Sequence, residues 1–470
     1  MVPPDQDGGL MRIDLLTDPI AGLDEALAVV DAFDHVLVGG LLRPQRSAGL
    51  TDLADAVAGS PLAVRVAEAA GKTAAGAAGE EHFVSLAAAR IAVFGSVHDA
   101  LAHRLAEATG RPPGEEPAPD AASAESPNLL AAARSWLSDL ARAGWQGIDH
   151  DLVSASAPVI SALLAEPGLR RLAVLLDGFA AELAASCPGS ALERVPVRRW
   201  GDLWSRGMLL TVPGVAATPA IGTVTGRLLP LGVDLLEHAT AAQAQVHAVF
   251  EPEDGGAPRL VRASVTAPKP DTIIGAGIWQ LLRPRLSLLA AVSEGRSMDL
   301  VDMPVTAEGD LLWQDEHARI SEPADAFATA RVALATATTP AAVPLNRHPA
   351  RIAVPVFLEG YGIEGDEDAL AFTFAGNHLA VDTDRVPVAG PLTPKAVANS
   401  SACLGLLRWD DGGFRLQPFA VETTVRKKTT AVHAGAWAGG TTDKAGLKAE
   451  KAATDAAAVL RERAGRLLRK

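Results

Sequence analysis

Aromatic residues are scarce in this 470-residue chain, at 4%, and there is a single tyrosine, Tyr361. Bases stack on aromatic faces, so the chain has few platforms for single-stranded nucleic acid. Its apolar fraction is carried instead by Ala, Leu and Val, which suits closely approaching helices with small contact residues. Cysteine is as sparse: Cys187 and Cys403 lie far apart in no metal-type spacing, which predicts two free thiols in a reducing interior. The chain lacks a Gly-x-Ser-x-Gly elbow, a His-Glu-x-x-His pair and a Cys-x-x-Cys pair, so no catalytic residue and no cofactor is assigned. Long hydrophobic runs are missing too. The best candidate, Leu172 to Leu183, is interrupted by Asp177 and Glu182 and falls short of the ~20 residues needed to span a bilayer. The amino terminus lacks the basic region and apolar core of a signal peptide, so the expected location is the cytoplasm, with no membrane contact.

Acidic charge dominates. The formal net charge is −14, which argues against a surface that grips nucleic acid or anionic lipid throughout. The balance is uneven, however. From Arg426 onward eleven Lys or Arg face four Asp or Glu, so an acidic body carries a basic tail.

Taken in order, the chain predicts an α+β protein: helical N-terminal blocks, then a β-rich C-terminal module and a basic helical tail. After a leader expected to be disordered, residues 1–110 form the first helical block. Residues 111–128, rich in Pro, Ala and Glu, cannot bury a core and are expected to be an exposed linker. Residues 129–212 form a second helical block. Within it Leu172, Leu175, Leu176, Phe179 and Leu183 recur at helical spacing. Residues 213–424 are the β-rich module. Strands are expected at 221–233, 244–251, 258–266, 298–305, 311–313, 351–359, 369–374, 378–382, 404–409 and 414–422. Pro-Glu-Asp-Gly-Gly and Asp-Asp-Gly-Gly supply hairpin turns. Helical chain is expected at 272–292, broken by Pro284, and at 324–337. Residues 425–470 are the tail, whose last helix places Val459, Leu460, Ala464, Leu467 and Leu468 on one stripe.

Three fragments resemble chemical motifs without completing them. Ala70 to Thr73 ends like a phosphate-binding loop, but the required earlier glycine is Val66. Gly275-Ala-Gly277 opens like a dinucleotide fingerprint, but its third glycine is Gln280. His98-Asp99 and His150-Asp151 recur in helical chain as in metal-dependent phosphohydrolases, and a metal site would need His82 or His103 and Asp177 to converge on one of them. Asp149 is equally suited to cap a helix.

The segment Val195 to Thr211 sits at the change from helical to strand-rich chain. As a helix it places Trp200, Leu203, Trp204 and Met208 on one face and Arg198, Asp202 and Arg206 in a row on another. The row offers two i,i+4 ion pairs of a few tenths of a kcal/mol each. Each buried indole would remove on the order of 200 Å² from water. Packing outweighs pairing, so a core element is the first expectation; an exposed recognition face, in which Trp and Arg act as anchors, is the other.

Val195 to Leu210 resembles a group of uncharacterised, alanine-rich bacterial proteins. They are encoded beside SWIM zinc-finger proteins, MoxR-type AAA+ ATPases and von Willebrand A proteins. The resemblance implies company more than activity: a subunit or adaptor in an ATPase-centred assembly. It assigns no catalytic residue, and the chain lacks the Cys and His ligands of a SWIM finger. Three functions are therefore expected in order. The first is a non-catalytic adaptor binding protein partners through Arg198, Trp200, Asp202, Trp204 and Arg206 and through the basic tail, which would dock on an acidic partner or else pack as a solvated helix on its own acidic body. The second is a nucleic-acid-associated factor using Arg426, Lys427, Lys428, Arg461, Arg463, Arg466 and Arg469, and the third a metal-dependent hydrolase.

Overall fold

The computed structural model describes residues 11–42, 48–112, 114, 126–215, 221–238, 240–270, 273, 275–282, 287–367, 369–425 and 428–467. Helical periodicity in the first half becomes ten helices among these residues. They are α1 (Ile13–Thr17), α2 (Leu23–Gly39), α3 (Ala48–Ala56), α4 (Ala63–Ala74), α5 (Glu80–Thr109), α6 (Pro127–Ala143), α7 (His150–Ser154), α8 (Ser156–Ala165), α9 (Arg170–Ala185) and α10 (Val197–Leu210). The boundary at 111–128 separates two stretches of chain and not two packing units. Phe33 and Leu37 of α2, Phe83 and Leu86 of α5, Leu137 of α6, Leu176 and Phe179 of α9 and both tryptophans of α10 share one core. The start of the expected linker is anchored as well. Arg111 is buried and donates to the Pro355 carbonyl at 2.7 Å, and its burial pushes its pKa down to about 10.

The spine of the molecule is α5. Its first half, from Phe83 to Phe94, belongs to the helical core, whereas Val97, Leu101, Leu105 and Ala108 enter the core of the β-rich half. By length and composition α5 is the one described helix that could cross a membrane. Leu172 to Leu183 lies in α9, which at 16 residues is shorter than a span.

Two sheets make up the second half. The first comprises β1 (Ile221–Glu237), β2 (Ala241–Pro252), β3 (Arg259–Pro268), β4 (Arg296–Thr306), β5 (Asp310–Leu311) and β6 (Ala318–Pro323). Its order β1-β2-β3-β5-β4 closes through β1 pairing with β4, so five strands form a ring and β6 extends from β4. The helices α11 (Gly277–Leu282) and α12 (Ser287–Glu294) bury Trp279, Leu282, Leu288 and Leu289 in the same core as the alternating Ala244, Val246 and Ala248 of β2. The expected break at Pro284 lies outside the described residues.

The second sheet holds β7 (Ala353–Glu359), β8 (Gly362–Glu364), β9 (Ala371–Phe374), β10 (Asn377–Val381), β11 (Ser400–Asp410), β12 (Gly413–Val425) and β13 (Lys428–His433). Asp411 and Gly412 take positive φ angles, 50° and 76°, in the two-residue turn joining β11 to β12, as their sequence predicts. The short strands β6, β8 and β13 carry no periodic run long enough to announce them. Of these, β13 moves a boundary, because the basic tail begins as an edge strand of the second sheet rather than as a separate segment at 425. The 324–337 helix is also shorter than its sequence suggests: α13 (Ala326–Thr329) passes into a π turn at Ala330–Leu334. The two sheets meet where Gly232 of β1 lies against Phe419 of β12, so close that a Cβ at 232 would enter the ring.

Candidate functional site: a charged seam under the Trp helix

Pro196 precedes the first turn of α10, and its carbonyl accepts from the Trp200 N–H at 3.0 Å. The apolar face then turns inward. Trp200 and Trp204 are both buried, Trp204 Nε1 donates to the Leu137 carbonyl at 3.0 Å, and Trp200 meets Trp145 edge-on at 5.9 Å. The recognition-face alternative for the two indoles is therefore corrected: they are core, because two large apolar rings one turn apart gain more from burial than from exposure.

The polar row does not pair as its spacing suggests. Asp202 and Arg206 form the expected i,i+4 pair at 3.0 Å. Arg198 reaches across to Asp31 of α2 instead, with contacts of 2.6 and 2.8 Å, both side chains about half exposed. What lies beneath the row explains it. Gly201 gives α10 a close approach, since a Cβ there would sit 2.6 Å from Asp34 Oδ1. Under it, Arg90 of α5 makes a two-pronged bond to Asp34 of α2, Nε to Oδ1 at 2.6 Å and Nη2 to Oδ2 at 2.9 Å, with both side chains almost fully buried. Arg90 also donates to the Arg198 carbonyl at 3.2 Å and lies over the Phe94 ring at 4.8 Å.

Asp202 connects this pair to the β-rich half. One of its oxygens lies 3.7 Å from Arg90 Nη1 and 3.6 Å from Nε2 of His348, whose ring packs on Phe94 with centroids 4.5 Å apart. Burial pushes His348 down to about 4 against the pull of Asp202, with Arg206, Arg90 and Arg351 adding to the depression. Burial likewise pushes the Asp34 carboxyl up against the pull of Arg90.

The residues around His348 fasten the same seam. Arg347 reaches Asp99 at 3.1 Å, and Asp99 is hydrogen-bonded to His98 at 3.0 Å. Asn346 receives Arg171 of α9 at 3.3 Å and donates to Glu308 at 2.6 Å. The sequence did carry a signal for part of this. Arg90 interrupts the apolar face of α5 and Asp34 that of α2, and a charge on a buried stripe needs a partner. His348, in chain without regular structure, carried none. Chemically the seam is a buried ionic lock between the two halves, in which Arg90 Nη1 and His348 Nε2 face Asp202 at 3.7 and 3.6 Å without a hydrogen bond of their own.

The incomplete motifs resolve in the same direction. Ala70 to Thr73 lies inside α4. Gly277 faces Ala453, so the space over it is filled. Asp149 caps α7 by accepting from the Leu152 N–H at 2.8 Å. Among the described residues no group of three His, Cys, Asp or Glu side chains is placed to hold a metal ion, and His82, His103 and Asp177 do not gather on either His-Asp dipeptide. Burial pushes both thiols up, Cys403 strongly and Cys187 with help from Asp149, away from the thiolate a nucleophile requires.

The basic candidates separate. Arg426, Lys427 and Arg469 lie outside the described residues. Lys428 is exposed on β13. Arg461, Arg463 and Arg466 are exposed on the last helix, α15 (Lys444–Leu467). Its first half is docked: Gln280 of α11 donates to the Glu450 carbonyl at 3.1 Å and to Thr454 Oγ1 at 3.2 Å. Its second half is largely exposed, with Val459 47% accessible, Ala464 exposed and Leu460 half-buried.

No protein family, curated protein or solved structure matches the chain.

Proposed function

We propose that the chain is a non-catalytic, cytoplasmic adaptor that binds a protein partner with an acidic surface through the second half of α15. One observation carries the reading. The helix is held by its first half, and beyond Thr454 it leaves Val459, Arg461, Arg463 and Arg466 in solvent. Along α15 six Lys or Arg stand against three Asp or Glu, on a chain whose net charge is −14. Among the described residues Arg461 and Arg463 have no ion-pair partner, while Arg466 pairs only with Glu462 of its own helix. A basic, partly apolar helix face is a common form of partner recognition, with electrostatics setting the approach and the apolar contact the hold. Arg198, Asp202 and Arg206 are already paired within the chain, Arg198 with Asp31 and Arg206 with Asp202, which favours α15 as the contact surface.

The test compares the full chain with a Val459→Asp/Arg461→Glu/Arg463→Glu variant in affinity capture with nuclease present, followed by binding measurements on the purified partner. SWIM and MoxR-type proteins are the first partners to try. The reading expects direct binding that weakens at least tenfold in the variant and falls with salt. Equal binding by both chains refutes it, and capture that vanishes with nuclease assigns the tail to nucleic acid.

A further inference from the structure

A second feature, independent of α15, lies where the two sheets cross. Pro230 to Gly232 of β1, the end of α12, the start of α13 and the β12–β13 pair surround an apolar cavity of about 450 Å³. That is within the ~300–1,000 Å³ of ordinary small-molecule sites. The wall is built from small residues, Gly295, Ala291, Ala420 and Ala431 among them, which leave the space open. Protein interiors otherwise close such voids. The floor, Leu231, Val292 and Phe327, is buried, whereas Pro323, Asp325 and Ala431 at the rim are exposed, so the cavity communicates with solvent.

Three polar side chains line it, and two are engaged. Arg296 donates to the Ser321 carbonyl, and Asp325 caps α13 by accepting from the N–H groups of Phe327 and Ala328 at 2.8 and 3.2 Å. Their charges are opposite, so the lining is neutral in sum. The third is His433, half-buried, whose ring has no hydrogen bond among the described residues. Burial pushes its pKa down, which keeps the imidazole neutral, with one donor and one acceptor nitrogen.

We propose that this cavity binds a compact, uncharged, largely apolar molecule whose single hydroxyl or carbonyl group hydrogen-bonds to His433. A charged ligand would have to leave its water for a wall whose two charges are opposite and cancel in sum, and a ligand without a polar group would leave His433 unanswered.

The probes are 2-naphthol, naphthalene and 2-naphthoate, titrated into the full chain and followed by calorimetry and thermal shift. The expected result is saturable one-to-one binding of 2-naphthol, with naphthalene and 2-naphthoate each at least fivefold weaker. His433→Leu should weaken 2-naphthol about fivefold and leave naphthalene unchanged, while Ala431→Trp, at an exposed rim position, should abolish both. Circular dichroism checks that both variants fold, and Ala326→Phe serves as a second blocking variant. Absence of saturable binding, or binding that survives the blocking variants, overturns the proposal. So does 2-naphthol binding that is indifferent to His433→Leu.

Discussion

Removing Arg90 is the sharpest test of the lock beneath α10. In Arg90→Met the apolar stem of the side chain is kept, but Asp34 loses both prongs of its ion pair, at 2.6 and 2.9 Å, in a site with essentially no solvent. An uncompensated buried carboxylate costs about 3–5 kcal/mol. Since 1 kcal/mol moves the midpoint of a 150–250-residue unit by about 2–4 °C, the helical half should melt about 6–20 °C lower. Urea titration followed by tryptophan fluorescence reads this directly, because Trp145, Trp200 and Trp204 all sit in that core. The double variant Asp34→Leu/Arg90→Met removes the stranded charge and should recover to within about 2 kcal/mol of the parent. A loss below about 1 kcal/mol in Arg90→Met, or a double variant as damaged as the two single changes added together, would refute the assignment of the pair as a coupled buried unit.

Other outcomes follow from the same geometry. His348 has a folded pKa of about 4, below its ordinary value near 6.5, so the unfolded chain binds the proton first as pH falls; stability should drop from pH 6.5 toward 4 by up to ~3 kcal/mol. His348→Asn, which keeps an acceptor for the Ala350 N–H, should flatten part of that slope in urea titrations run at each pH. The part that remains belongs to His247, which burial holds at about 3, and to His433, which burial also pushes down. On α10, Arg198→Ala breaks an exposed pair and should cost less than about 1 kcal/mol. Asp202→Ala removes the acceptor of Arg206 and the carboxylate that Arg90 and His348 face at 3.7 and 3.6 Å, and should cost about 1–3 kcal/mol in the same assay. Gly232→Ala pushes a methyl into Phe419 where the sheets meet and should lower the midpoint by the equivalent of about 1–3 kcal/mol, with Phe419→Leu partly restoring it.

The sequence by itself determined what is local. The 3.6-residue recurrence of Leu172, Leu176, Phe179 and Leu183 was enough for α9, and the period-two alternation and turn residues were enough for β2, β3, β11 and β12. Asp149 could be read as a cap and the face of Trp200 and Trp204 as apolar, because periodicity and capping depend only on neighbours along the chain. Tertiary structure decided everything that depends on residues far apart. Arg198 chose Asp31 over Asp202, the ring of strands closed through β1 and β4, and β13 turned the start of the basic tail into a sheet edge. His348 acquired its place only when the chain before β7 folded back onto α5 and α10. The reason is physical: spacing fixes which face of an element is apolar, but the charge or edge that satisfies a buried group is chosen by which surfaces meet.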